Sequence, residues 1–344
     1  MNFRDLRMDQ ARQMSDAASA FELYEQAAAD ARRFTGSMRW KAIGDADYLY
    51  HKRRFVEKSV GRRSAETEAV YERFYAGKAD NEALLQVRAA RLDEMAPVNG
   101  AMGLARAPTI VGRIMRAIAA EGILGAPMIV VGTNALYAYE RAAGVLLGTD
   151  LMTTEDVDIL YDNRARLRFL TASPVRSAIG ILRHADKTFR PVRPNSYSAA
   201  NADGFLVDII TPQLRDRIRA PKLKIGDDPD DMHAAEIEGL SWLVNSPKIT
   251  EVMIDDRGFP FRMVCPDPRA FAVHKLWLAQ QPNREAAKAL RDRAQAEIVA
   301  KLVIEKMPHL RFDAADLKAI PKSLMESASR FTAAQPEASS RPNW

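Results

Sequence analysis

Asp156 and Asp158 stand one residue apart in "DVDILY", a run that is otherwise apolar. Asp208 stands in "GFLVDIIT" with apolar residues on both sides. Burying carboxylates is expensive unless opposite charge answers them. In a strand, residues i and i+2 share a face, so Asp156 and Asp158 project together and Val157 points the other way. Two carboxylates held in this way repel each other unless a cation lies between them. Hard oxygen ligands at that spacing suit Mg²⁺, with Mn²⁺ as its substitute, bound through one or two protein carboxylates plus substrate phosphates. If the strand of Asp208 pairs beside the first, three carboxylates can hold two metal ions that clamp the attacking and leaving oxygens of an in-line displacement at phosphorus.

Phosphate needs its own cradle, and "GTNALYAYE" (132–140) offers one. Gly132 allows a tight turn between strand and helix and leaves room for a close approach to the backbone. The helix start beyond it, with the Thr133 hydroxyl, makes an anion site. A triphosphate at Gly132-Thr133 and metal at Asp156, Asp158 and Asp208 together describe a nucleotide attacked at phosphorus.

The elements that must position these residues follow from pattern. "PMIVVG" (127–132) is a β-branched run between proline and glycine, the sign of a buried strand, and a helix is expected from Thr133 to about Ala143. "DVDILY" and "GFLVDIIT" read as strands. "ARLRFL" and "SPVRSAIGILRHA" read as helical turns, and "ITEVMID-DRG-FPFRMVC" as a hairpin. Helices resume in "RAFAVHKLWLAQQ" and "REAAKALRDRAQAEIVAKLVIEKM". On the N-terminal side, 1–31 and 65–95 carry helical patterns, and a further helix is expected from Thr109 to Ala120. "SMRWKAIGDADYLYHK" reads as an ordered loop or short turn, and "APVNG" (96–100) as punctuation. The expected class is α+β: a helical N-terminal region (1–125), a small mixed-sheet α/β core (126–265), a helical C-terminal region (266–330) and a frayed tail (331–344).

The order strand, Gly-Thr, helix, Asp-x-Asp strand, third-Asp strand resembles the DNA polymerase β-like nucleotidyltransferase superfamily, whose pattern has Gly-Ser or a close variant at the turn. The interval before Asp156 leaves room for a helix of about three turns plus a loop, which looks like the larger bacterial group that includes abortive-infection toxins. In that group a helical C-terminal part carries a Lys-hydrophobe pair and then a Lys-Asp motif. "HKLWLA" is similar to the first through Lys275-Leu276, and "KALRDRAQA" to the second through Arg291-Asp292, with Gln295 where an aspartate is often found. The resemblance spans roughly residues 125–300. It implies a metal-dependent transfer of NMP from NTP to a hydroxyl, releasing pyrophosphate. It assigns Asp156, Asp158 and Asp208 to metal and catalysis, and Gly132, Thr133, Lys275 and Arg291 to the nucleotide.

Composition narrows the class. The chain has 344 residues, 47% hydrophobic and 28% charged, which is ordinary globular usage. Its single cysteine, Cys265, excludes an intramolecular disulfide and a cysteine-rich metal site, and the five histidines show no ligand spacing. No apolar run approaches the roughly 20 residues that span a bilayer, and "MNFRDLRMDQARQMSD" lacks the apolar core of a secretory signal, so a cytoplasmic protein is the default. A net charge of +5 concentrates at 31–34, 51–63 and 183–193, stretches that could meet phosphates. An RNA 3′ end is the first-choice acceptor, with a protein hydroxyl or a small molecule as the others. A catalytically silent nucleotide-sensing module on the same fold, and a nucleic-acid scaffold on the N-terminal helices, are the readings from other classes.

Overall fold

The structure, a computed structural model, describes residues 3–333 apart from 54–55, 173–174, 176, 214–223, 314 and 319. The expected frayed tail lies, beyond residue 333, outside the described residues. The chain divides into two compact units. One comprises 1–11, 105–256 and 261–344, the other 12–104 and 257–260.

After the two-residue strand β1 (Arg4–Asp5), helix α1 (Met8–Ala31) is followed by three strands, β2 (Ser37–Ile43), β3 (Ala46–Arg53) and β4 (Val56–Arg62). These form an antiparallel meander in the order β2-β3-β4. The sequence pattern placed a loop over its first two strands, and the structure corrects that reading. Met38, Trp40, Leu49 and His51 alternate onto one face, where Trp40 meets Tyr71 and His51 meets Phe74 of the long helix α2 (Ala65–Ala101). The opposite face also carries aromatics, so the usual contrast between an apolar and a polar face is blurred and period 2 is hard to see.

Helix α2 starts at a capping box, with Ser64 and Thr67 each bonded to the other's backbone. It also runs straight through "APVNG", against expectation. Pro97 removes one helical hydrogen bond, but tertiary contacts hold the segment. Asn99 is fully buried, donating to the Gly258 carbonyl at 2.9 Å and accepting from Gln13 at 2.8 Å. Gly258 lies so close to the helix that a Cβ there would sit 2.0 Å from the Ala96 carbonyl oxygen.

The first unit is built on a six-stranded mixed sheet. Helix α3 (Thr109–Ala120) leads to β5 (Met128–Val131), a 3₁₀ turn over Gly132–Asn134, helix α4 (Ala135–Ala142), and β6 (Val145–Leu146), which pairs antiparallel with β1. Then come β7 (Asp156–Tyr161), helices α5 (Arg166–Ala172) and α6 (Ala178–Ala185), β8 (Arg190–Pro191), β9 (Ser198–Ala200), β10 (Leu206–Pro212) and β11 (Ala235–Ile237). The sheet order is β5-β7-β10-β9-β8, with β11 also on β10. Strands β7 and β10 run parallel at its centre. Val157, Ile159, Val207 and Ile209 fill the face away from the carboxylates, each at most 1% exposed.

Helix α7 (Leu240–Asn245) precedes the hairpin of β12 (Lys248–Ile254) and β13 (Pro260–Pro266), as expected. Two packed helices close the unit's core, α8 (Pro268–Ala279) and α9 (Ala286–Lys306), followed by the short α10 (Lys322–Ser327) and α11 (Ser329–Ala333). Every residue of α8 from Pro268 to Leu276 is buried, Lys275 included. The fold is α+β, as its pattern predicts. Among the described residues no helix is long and apolar enough to cross a membrane.

Candidate active site

Register, which a sequence does not display, brings the carboxylates together. In the parallel pair β7/β10, Asp158 lies directly opposite Asp208 and Asp156 opposite Leu206. On the other side of β7, Val131 lies opposite Asp158, and on the far side of β10, Ser198 lies opposite Asp208. A single transverse row therefore reads Val131, Asp158, Asp208, Ser198, with the Gly132 turn one residue beyond the row. A slip of one residue would send Asp208 to the opposite face.

Gly132 has φ +65°, the left-handed region that favours glycine. A Cβ there would lie 2.1 Å from Oδ2 of Asp158. The missing side chain thus makes room for the Asp158 carboxylate, a more immediate reason for glycine than phosphate approach. Gly132→Ala is expected to cost about 2 kcal/mol from backbone strain and displacement of that carboxylate. Urea denaturation measures this, and an unchanged midpoint would contradict the contact.

The turn is tied down by two residues whose roles sequence reasoning did not anticipate. Asn134, 1% exposed, donates from Nδ2 to the Asp156 carbonyl at 2.7 Å, fixing the helix start to the strand that carries the aspartates. Gln295 of α9, fully buried, donates from Nε2 to Thr133 Oγ1 at 3.2 Å and to the Leu151 carbonyl at 3.0 Å. Thr133 is 9% exposed. The position where the resembling group often has an acid here orients the threonine hydroxyl through an amide.

Charge is concentrated at the row. Burial first, then the charge of Asp156, push the Asp158 carboxyl up to about 6, with Asp208 adding to the rise and Lys275 and Arg284 opposing it. Burial likewise raises Asp208, against a hydrogen bond from Ser198, and Asp156 raises it further. Oδ1 of Asp208 is buried with no hydrogen-bond partner among the described residues. The Thr154 hydroxyl bonds Oδ1 of Asp156.

The basic side of the site comes from α8 and the turn that leads into α9. Lys275, 8% exposed, places its ammonium 2.7 Å from Oδ1 of the buried Asp292. Arg284 reaches Oδ2 of the same carboxylate through NH2 at 2.6 Å and Nε at 2.7 Å. One carboxylate thus holds two cations whose fields reach Asp158. Arg284 was not singled out in the sequence, because its meeting with Asp292 depends on how α9 folds back after the turn. Arg291 goes elsewhere: its guanidinium donates to the Thr153 carbonyl at 2.6 Å, bracing the segment just ahead of β7.

The structure therefore brings Gly132, Thr133, Asp156, Asp158, Asp208 and Lys275 into one neighbourhood, and sets Arg291 against backbone beside it. Asp156 and Asp158, two acids on one strand face, are the pair suited to a divalent cation. Among the described residues no group of three or more His, Cys, Asp or Glu side chains has the spacing of a metal site. The three aspartates are neighbours across strands, not a closed cage, with Asp158 pressed against Gly132 and Asp208 held by Ser198.

No curated protein and no solved structure matches this chain. A family model described as nucleotidyltransferase matches residues 109–321, well over half of the chain and the whole of the site from Gly132 to Gln295. The chain belongs to this nucleotidyltransferase family.

Proposed function

We propose that the protein transfers NMP from an NTP to an acceptor hydroxyl, with release of pyrophosphate and dependence on Mg²⁺ or Mn²⁺. The observation that carries this reading is the row of Asp158 and Asp208 across β7 and β10, with Asp156 beside it and the Gly132 turn at its end. The donor chemistry, two carboxylates on one strand face, suits a divalent cation that takes its other ligands from substrate phosphates and water. Burial first, then the charge of Asp156, raises Asp158, and Asp208 keeps a buried oxygen without a partner among the described residues, so the site has room for added positive charge. A Mg²⁺ bound there would supply that charge and polarise the triphosphate oxygens. Asp156 and Asp158 would hold it.

The remaining steps belong to the chain. The Gly132-Thr133 turn and the start of α4 bind the terminal phosphates, with the Thr133 hydroxyl oriented by Gln295. Lys275 offsets triphosphate charge at long range, while Asp292 keeps it in place. Asp208, with its affinity for a proton raised by burial, takes the proton of the acceptor hydroxyl as that oxygen attacks the α-phosphorus. The bond from the α-phosphorus to the bridging oxygen then breaks and pyrophosphate leaves. Most of the acceleration comes from positioning and charge neutralisation.

An RNA 3′ hydroxyl is the acceptor we propose first, on the strength of the basic stretches, and the likeness to abortive-infection toxins is part of the same proposal. The test is label transfer from each α-³²P-labelled NTP into RNA, protein or small-molecule fractions. An Asp156→Ala/Asp158→Ala variant and periodate-blocked RNA serve as controls. The reading expects label in intact RNA only, and none in either control. Label in protein or small molecules would replace the acceptor. NTP binding with no transfer would select the silent module instead.

A further inference from the structure

The described aromatic and basic residues of 39–62 find only half of their use in packing on α2. Strand register sorts them. Arg39 faces Tyr50, Lys41 faces Tyr48, and Ser37 faces Lys52 across β2/β3, while Tyr48 faces Arg62 and Tyr50 faces Ser59 across β3/β4. All of these lie on the face turned away from Trp40, Leu49 and His51, and hence away from α2. The outward face therefore carries two tyrosines, each partly exposed, set among Arg39, Lys41, Lys52 and Arg62. Ile43, 50% exposed, ends it.

The charge is one-sided. Glu57 is the carboxylate on this face among the described residues, and it is already engaged by Arg39 at 2.9 Å and by Lys41. Those two cations hold its carboxyl below the usual range, the Lys41 contact first. Four cations against one acid leave a net positive sheet. Lys41 also lies over the Tyr50 ring, 4.7 Å from its centroid. A positive surface with aromatic faces at strand spacing is the arrangement that tracks a phosphate backbone while bases stack on the rings.

Spacing selects the strandedness. Tyr48 and Tyr50 are two residues apart on one strand, about 7 Å by strand geometry. That is roughly twice the ~3.4 Å step along a stacked nucleic-acid strand. Two successive bases can meet both rings only if they are unstacked from each other, which a duplex does not allow. Ser37 and Ser59 add hydroxyls within the same face, groups that can meet a ribose 2′-OH.

We infer that the outward face of β2-β3-β4 binds single-stranded RNA, with bases on Tyr48 and Tyr50 and phosphates along Arg39, Lys41, Lys52 and Arg62. The inference rests on the reading of RNA as acceptor and gives that RNA a binding surface outside the carboxylate site.

The test is fluorescence anisotropy of the full-length protein with a labelled 12-nucleotide oligouridine across 50–200 mM salt. Tyr48→Ala/Tyr50→Ala is expected to weaken binding at least tenfold, since each stacked base is worth about a factor of ten. Lys52→Glu/Arg62→Glu, which leaves the rings and the packing on α2 untouched, should weaken binding and flatten the log–log salt slope by about 1.4, two single-strand phosphate contacts. Wild-type affinity in both surface variants would overturn the inference, as would tighter binding of an equally long RNA duplex. If RNA binds this face but never receives label, the reading of RNA as acceptor falls and the binding surface stands.

Discussion

Replacing Asp158 by asparagine is expected to abolish nucleotidyl transfer while making the metal-free protein more stable. The substitution keeps shape and hydrogen-bonding capacity but removes the charge that burial and Asp156 oppose. A carboxyl whose folded value is raised from 3.8 to about 6 binds its proton more tightly folded than unfolded. Its contribution is therefore most favourable below about pH 4 and is lost as pH rises through the window from about 4 to about 6. Above that window the ionised group costs about 2 kcal/mol, allowing for solvent screening of a partly exposed side chain. The neutral amide of Asp158→Asn would not carry this cost. The expected result is a rise in denaturation midpoint at pH 7.5 that vanishes near pH 4, together with at least a 10³-fold fall in transfer rate, about 4 kcal/mol of lost transition-state stabilisation. Mg²⁺ should stabilise wild type and leave the variant unchanged. A less stable variant with intact activity would show that Asp158 is a structural acid.

The second large effect lies at Asp292. Its carboxylate is 1% exposed and is shared by Lys275 and Arg284. Asp292→Ala leaves a buried ammonium and a partly buried guanidinium without their counter-charge, which is expected to cost about 3–5 kcal/mol. Adding Lys275→Met, which removes the more deeply buried cation and keeps the volume of its stem, should recover about half of that loss. Urea denaturation of the two variants checks both halves. A loss under about 1 kcal/mol for Asp292→Ala would mean that the two cations find water or other partners without the penalty expected of buried charge.

Gly132→Ala tests the same carboxylate from the opposite side, by crowding it instead of neutralising it. Its destabilisation and the stabilisation by Asp158→Asn should not add, since both act on one contact.

The chemistry of the site was legible because aspartates are out of place in apolar strands. "DVDILY" and "GFLVDIIT" each carry a residue that burial disfavours, and "GTNALYAYE" places glycine where a strand must turn into a helix. What could not be read was register. Only the pairing of Asp158 with Asp208 shows that the third acid shares the first pair's face. The contacts of Asn134, Arg284 and Gln295 were hidden for a related reason: their partners lie 8 to 162 residues away along the chain, at separations that only tertiary packing closes. The meander at 37–62 escaped notice because Trp40 and Leu49 face α2 while Tyr48 and Tyr50 face outward, so aromatic residues mark both faces. In α2, Pro97 and Gly100 argued for a break, and the buried hydrogen bonds of Asn99 outweighed them.

The measurement that bears most directly on the site is a double-label reaction with Mg²⁺ and RNA, using NTP labelled at the α-phosphorus in one arm and the γ-phosphorus in the other. Nucleotidyl transfer through the Asp156, Asp158 and Asp208 row predicts α-label in the acceptor and γ-label released in pyrophosphate, in equal amounts, with both signals lost in Asp208→Asn. Appearance of γ-label in the acceptor, or equal rates in wild type and Asp208→Asn, would contradict it.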